Sequence, residues 1–167
     1  MKKVTMETSM GTISLELDDE KAPETVANFV QYAKDGHYDG TIFHRVIDGF
    51  MIQGGGLTKS MDDKPAHEPI RIESMNGLKN VRGSIAMART MDPNSATSQF
   101  FINLVDNDFL DFTAPTRNGY GYAVFGNVTD GMEVVDKIAK VKTGTVGPYE
   151  NVPDEPIVIR KVSVSES

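Results

Sequence analysis

Cysteine and tryptophan are both absent from this sequence, and histidine occurs only three times. Without cysteine there can be no disulfide, no thiolate nucleophile and no thiolate ligand for zinc. His37, His44 and His67 lack the helical pairing or carboxylate arrangement that would complete a tetrahedral metal site, so no metal is expected. Positive charge is also scarce. The 17 Lys and Arg face 24 Asp and Glu, for a net charge of -7, the wrong sign for a phosphate-binding surface, so nucleic acid is not an expected partner. No apolar run approaches membrane-spanning length, and the opening MKKVTMETSMG lacks the apolar stretch of a secretory signal. The expected address is the cytoplasm, with no membrane partner. No Gly-x-Ser-x-Gly elbow occurs. The glycine run at Gly54, Gly55 and Gly56 is not followed by the Lys-Ser or Lys-Thr pair of a phosphate loop, so it reads as backbone crowding or a bulge.

What is present suits one folded unit. A chain of 167 residues, 39% hydrophobic and 25% charged, can bury one good core, so a single domain over 1–167 is expected. Turn signals recur along it at the spacing of many short strands. Val4, Met6 and Thr8, then Ile13, Leu15 and Leu17, alternate with polar neighbours around Ser9, Met10 and Gly11, which predicts a hairpin with one buried face. Pro23 suits a helix start; Val26, Phe29, Val30 and Ala33 follow on one face, and Gly36 offers a left-handed stop. A second helix is expected near Asp130, with Asp130 as its cap, Glu133 reaching back, and Val134, Val135 and Ile138 inward. Runs rich in β-branched and aromatic residues at 42–52, 81–88, 99–104, 122–128 and 157–164 read as strands. About seven or eight strands would leave exposed edges unless the sheet closed, so a small antiparallel barrel with two helices over its ends is the economical fold, and a β-sandwich the alternative. Segments 55–80, 89–98, 113–121 and 142–156 look irregular and are expected to border the functional face.

One stretch resists a purely structural reading. In the run from Ile42 to Ile47, strand periodicity puts Phe43, Arg45 and Ile47 on one face and His44 and Val46 on the other. A guanidinium thus shares a face with apolar neighbours. It either faces water, pairs with an acidic loop residue, or serves function. Core packing accounts for Phe50, Met51 and Ile52 but not for Gln53, whose amide needs partners for both its donor and its acceptor.

With FHRVIDGFMIQGG, SQFFIN, and FLD followed by YAVFGNV in this order, the chain resembles the cyclophilin family of peptidyl-prolyl cis-trans isomerases. Its closest pattern is that of the short cytoplasmic bacterial members, and the hairpin, ANF in the first helix, GSIAMA and the last strand extend the likeness over essentially the whole chain. The resemblance implies a closed eight-stranded antiparallel barrel capped by two helices, isomerase activity on X-Pro bonds, and no cofactor. Residue by residue, it implies Arg45 as the catalytic arginine, Phe50, Met51, Phe101 and Leu110 as the proline pocket, and Gln53 as a peptide-backbone binder. Ala88, Arg89 and Gln99 match further groove positions, and His44 a supporting one. Phe109 stands where many relatives have tryptophan, and Tyr122 where they have histidine. Arg89 replaces a common asparagine. The indole donor goes with cyclosporin binding in the family, so that drug's binding is in question here. Implied partners are proline-containing peptides and unfolded or partly folded proteins. The acidic surface and the lack of heptads favour a monomer. The competing readings are a peptide-binding module of the same fold without turnover and a chaperone-like partner protein working through another surface.

Overall fold

Alternation at the N-terminus becomes a hairpin of β1 (Lys2–Thr8) and β2 (Gly11–Leu17), with Val4 opposite Leu15 and Met6 opposite Ile13, all four buried. The structure, a computed structural model, describes residues 1–166; the final residue of the expected 1–167 unit lies outside the described residues. Helix α1 (Pro23–Lys34) has its proline in the first turn and buries Val26, Phe29, Tyr32 and Ala33. Then come β3 (Thr41–Ile42), β4 (Arg45–Ile47), β5 (Met51–Gly54), β6 (Ser84–Met87), β7 (Phe100–Asn103), β8 (Val124–Asp130), α2 (Met132–Ala139), β9 (Thr143–Val146), β10 (Tyr149–Pro153) and β11 (Val158–Glu166).

One antiparallel sheet runs β3-β11-β1-β2-β8-β6-β7-β5-β4. Its two end strands are separated in the chain by Phe43 and His44 alone. They are two halves of one interrupted strand, the first paired to β11 and the second to β5. The curled sheet therefore closes through the chain itself, and counting β3 and β4 together gives the expected eight strands around the barrel. Closure of this kind leaves little exposed edge.

The interior is filled by Phe29, Phe43, Phe100, Phe125 and the residues packed on them, with α1 and α2 contributing Val26, Val134, Val135 and Ile138. A second apolar cluster, comprising Met51, Ala86, Phe101, Leu110 and Val124, lies on the outer wall. Period-2 geometry produces both. Along β5, β6 and β7, Ile52, Ile85, Met87, Phe100 and Ile102 point inward, while Met51, Ala86 and Phe101 point outward. A sheet wall buried on both faces needs a cover on the outside, and the 107–122 segment supplies it through Leu110 and Tyr122.

Four expectations change. Phe43 does not share a face with Arg45: the alternation slips at the break between β3 and β4, so Phe43 and Val46 are both interior while Arg45 is exposed. Asp130 does not cap α2; it ends β8, its carboxylate accepts from the Gly131 amide, and the cap position is Gly131 in a left-handed conformation at φ 88°. Segment 142–156 is not irregular, since β9 and β10 form a separate two-stranded hairpin packed against β4. Strands expected at 81–88 and 122–128 begin later, at Ser84 and Val124, because Val81 to Gly83 and Tyr122 to Ala123 are used in turns and cover.

Candidate active site

Strand register brings the unusual residues side by side. Arg45 lies opposite Gln53, Gln53 opposite Phe101, and Phe101 opposite Ala86, so one row across β4, β5, β7 and β6 reads cation, amide, aromatic ring, methyl on the outer face. Neighbouring strands sit about 4.8 Å apart, so Arg45 and Phe101 are separated by about 10 Å. That distance suits a short peptide segment laid across the wall.

Polar contacts hold the row. The Arg45 Nη1 donates to Gln53 Oε1 at 3.3 Å, and Gln53 Nε2 donates to Gln99 Oε1 at 3.0 Å. Both halves of the Gln53 amide are thereby satisfied, which answers the question its sequence position raised. Gln99 itself occupies space left by a glycine: a Cβ on Gly56 would lie 2.5 Å from Gln99 Cγ. The glycine run is thus a place of close approach, and Gly55, at φ +93° against Phe100 and Tyr38, belongs to the same crowding.

Around this row opens a cleft of about 320 Å³ lined by Arg45, Phe50, Met51, Gln53, Ala88, Arg89, Phe101, Phe109, Leu110 and Tyr122. Every residue singled out in the groove is there except Gln99, which reaches it only through Gln53. Met51, Phe101 and Leu110 are buried and make the floor, where each large side chain removed from water contributes roughly 1.5–3 kcal/mol. At one rim Phe109, 70% exposed, stacks on Phe50 with ring centroids 5.8 Å apart. At the other, Tyr122 meets Phe101 edge-on at 5.6 Å, and the Arg89 guanidinium lies 4.7 Å over the Tyr122 ring.

Beneath the rim runs a buried polar network to which the sequence reading assigned no role. Asn107 Nδ2 donates to Phe50 O and Asn103 Oδ1; Asn103 Nδ2 donates to Asn80 Oδ1 and Ser84 Oγ. Asn80 in turn donates through its amide to Asp111 Oδ1 and through Nδ2 to Leu110 O. These bonds tie the Phe50 turn and the Leu110 segment to the end of β7, fixing two walls of the cleft. The available signal was an asparagine ending an apolar strand in SQFFIN, which needs partners once buried.

His44 sits behind Arg45, 5% exposed, with its ring edge-on to Tyr149 at 6.0 Å and its Nδ1 without a hydrogen-bond partner. Burial, and then the neighbouring Arg45 charge, push its pKa down to about 4. It is neutral near pH 7, so the cation at the cleft is Arg45 alone on that side.

The chain and its fold have known relatives. The family described as cyclophilin type peptidyl-prolyl cis-trans isomerase/CLD matches residues 3–164. The chain is 56% identical over 163 residues to peptidyl-prolyl cis-trans isomerase B of Escherichia coli, covering 98% of this chain and 99% of that one. A peptidyl-prolyl cis-trans isomerase of Streptomyces antibioticus is also 56% identical, over 164 residues, with 98% and 99% covered. Among solved structures, a Cryptosporidium parvum cyclophilin type peptidyl-prolyl cis-trans isomerase, crystallised in the presence of the dipeptide Ala-Pro, superimposes with a TM-score of 0.80 at 27% identity, covering 99% of each chain.

Proposed function

This chain belongs to the cyclophilin-type peptidyl-prolyl cis-trans isomerases and catalyses proline isomerisation, and on that premise we propose that the X-Pro bond turns in the Arg45 cleft. The observation that carries the reading is the placement of one oriented guanidinium at the edge of an apolar basin floored by Met51, Phe101 and Leu110. The proline ring seats on that floor. Gln53, beside Arg45 and braced by Gln99, holds the peptide backbone, with Ala88 and Arg89 shaping the rest of the groove.

Rotation about a prolyl amide must sacrifice resonance across a barrier of about 18–20 kcal/mol. No bond breaks and no proton need be transferred. As the bond twists, the prolyl nitrogen becomes pyramidal and regains its lone pair, and a guanidinium N–H donating to it stabilises the twisted state more than either planar one. Arginine is permanently charged at neutral pH, so this donor needs no general base. Shortening the event from roughly 100 s to roughly 1 ms requires about 7 kcal/mol, more than a single hydrogen bond supplies. Anchoring the ring on Phe101 while one flank is held and the other swings contributes the remainder.

A protease-free isomerase assay tests the assignment. Arg45→Ala is expected to lose roughly 100-fold or more in kcat/KM with its fold intact, and an unimpaired variant would remove Arg45 from the mechanism. The proposed substrates are proline-containing peptides and unfolded or partly folded proteins. The Ala-Pro dipeptide present with the Cryptosporidium relative supports that class. Phe109 offers no ring donor, which supports weak cyclosporin binding. We further propose one domain, acting as a cytoplasmic monomer, to be checked by limited proteolysis, cell fractionation and light scattering.

A further inference from the structure

Next to the Arg45 cleft a second depression of about 430 Å³ opens, and Arg89, Phe109 and Tyr122 are walls of both, so the two form one continuous groove. Its far side is made by Met91, Arg117 and Asn118. Met91 and Phe109 are each 70% exposed, which gives the depression apolar walls open to a ligand.

Its charge runs against that of the molecule. In a chain of net charge -7, the groove has three arginines along it, Arg45, Arg89 and Arg117. None of the three is within ion-pair distance of a carboxylate among the described residues, whereas Arg82 is paired with Asp136 and Lys140 with Asp48. Arg89 is not loose. Its Nε donates to Gly121 O at 2.9 Å and its Nη1 to Thr90 O at 2.8 Å, and these bonds together with the Tyr122 ring fix the guanidinium plane while leaving Nη2 available. Arg117 projects from the 113–121 segment, which is closed on itself: the Thr113 and Ala114 amides both donate to Gly119 O, and the Tyr120 amide to Thr116 O. The same segment is anchored to the cleft through Gly121, the acceptor of Arg89, and through the Tyr122 amide, which donates to Leu110 O. Two cations are thus carried on braced backbone beside exposed apolar surface.

We infer that this depression is a specificity subsite that takes an acidic side chain of the substrate peptide, with Arg117 and Arg89 reading the carboxylate and Met91 and Phe109 covering its aliphatic stem. Guanidinium forks match carboxylate geometry, and because the depression shares Arg89, Phe109 and Tyr122 with the Arg45 cleft, the acidic residue belongs to the stretch of peptide flanking the proline. The inference rests on the X-Pro bond turning in the Arg45 cleft. Because Arg117 is remote from that bond, it binds ground and transition states alike, and its effect belongs in KM rather than kcat.

The test is a set of X-Pro peptides carrying Glu, Gln or Lys at each of the three positions on either flank, assayed at low and high salt. At one or more positions the wild type is expected to favour Glu over Gln by roughly two- to fivefold in kcat/KM, and Gln over Lys, with the preference shrinking as salt rises. Arg117→Gln should shrink the preference for the Glu peptide over the Gln peptide, with Arg89 retaining part of it, and Arg117→Glu should favour Lys instead. Indifference of the wild type at every position, a preference for Lys, or a Glu preference undiminished by Arg117→Gln overturns the subsite. Failure of the underlying site reading shows separately, as an Arg45→Ala variant that turns over the Gln peptide at the wild-type rate.

Discussion

Arg45 presents its charge on a planar fork, and the fork is held by an amide that is itself held, through the chain Arg45, Gln53, Gln99. Geometry as well as charge should therefore matter. Arg45→Lys keeps the charge but replaces the fork with a mobile ammonium that cannot repeat the contact with Gln53 while reaching a prolyl nitrogen. The expected outcome is a kcat at least tenfold below wild type with denaturant midpoint unchanged, read from single-turnover isomerisation and urea unfolding. Near-wild-type kcat would reduce Arg45 to a point charge. At this scale the sequence was legible where chemistry is local: Gln53 called for two partners and has them. Phe43 was misread because period-2 arithmetic assumes an unbroken strand, and the chain slips at His44 to close the barrel.

Helix α1 is capped from a distance. Ala22, at its cap position, offers no side-chain acceptor; instead Glu73, from the long 55–80 segment, accepts from the Thr25 amide at 2.7 Å, the Glu24 amide at 3.3 Å and the Thr25 hydroxyl at 2.6 Å. A carboxylate there satisfies the free amides of the first turn and opposes the positive end of the helix dipole. Glu73→Ala is expected to cost roughly 1–2 kcal/mol in urea unfolding, with isomerase activity of the folded protein unchanged. Glu73→Gln should recover part of the loss. An unchanged midpoint in Glu73→Ala would make the contact incidental. Proline and the apolar face announced this helix locally; its cap is 48 residues away, beyond any periodic signal. The same limit explains α2, where Asp130 matched a capping pattern but was already committed to β8.

For the molecule as a whole, acid stability should be governed in part by the imidazole behind Arg45. His44 has a folded pKa of about 4 against an ordinary 6.5, so between those values the unfolded chain binds more protons and stability rises with pH. Its contribution is complete above the ordinary value and is lost as pH falls toward 4, about 3 kcal/mol in all. His37, lowered by burial and by Lys64, acts in the same direction. Urea midpoints at about pH 7.5 and about pH 4.5 should fall more for wild type than for His44→Phe; equal falls would show that His44 does not titrate on unfolding. From the sequence alone came the hairpin, the first helix and the absence of thiol chemistry, because each depends on composition or on residues within a few positions of one another. Tertiary structure decided what depends on distant partners: the joining of β3 and β4 into a closed barrel, the Glu73 cap, the asparagine network under Phe50 and Leu110, and the gathering of Arg89 and Arg117 beside one groove. Those contacts form only once loop closure has brought the segments together, and no periodicity along the chain encodes which segments will meet.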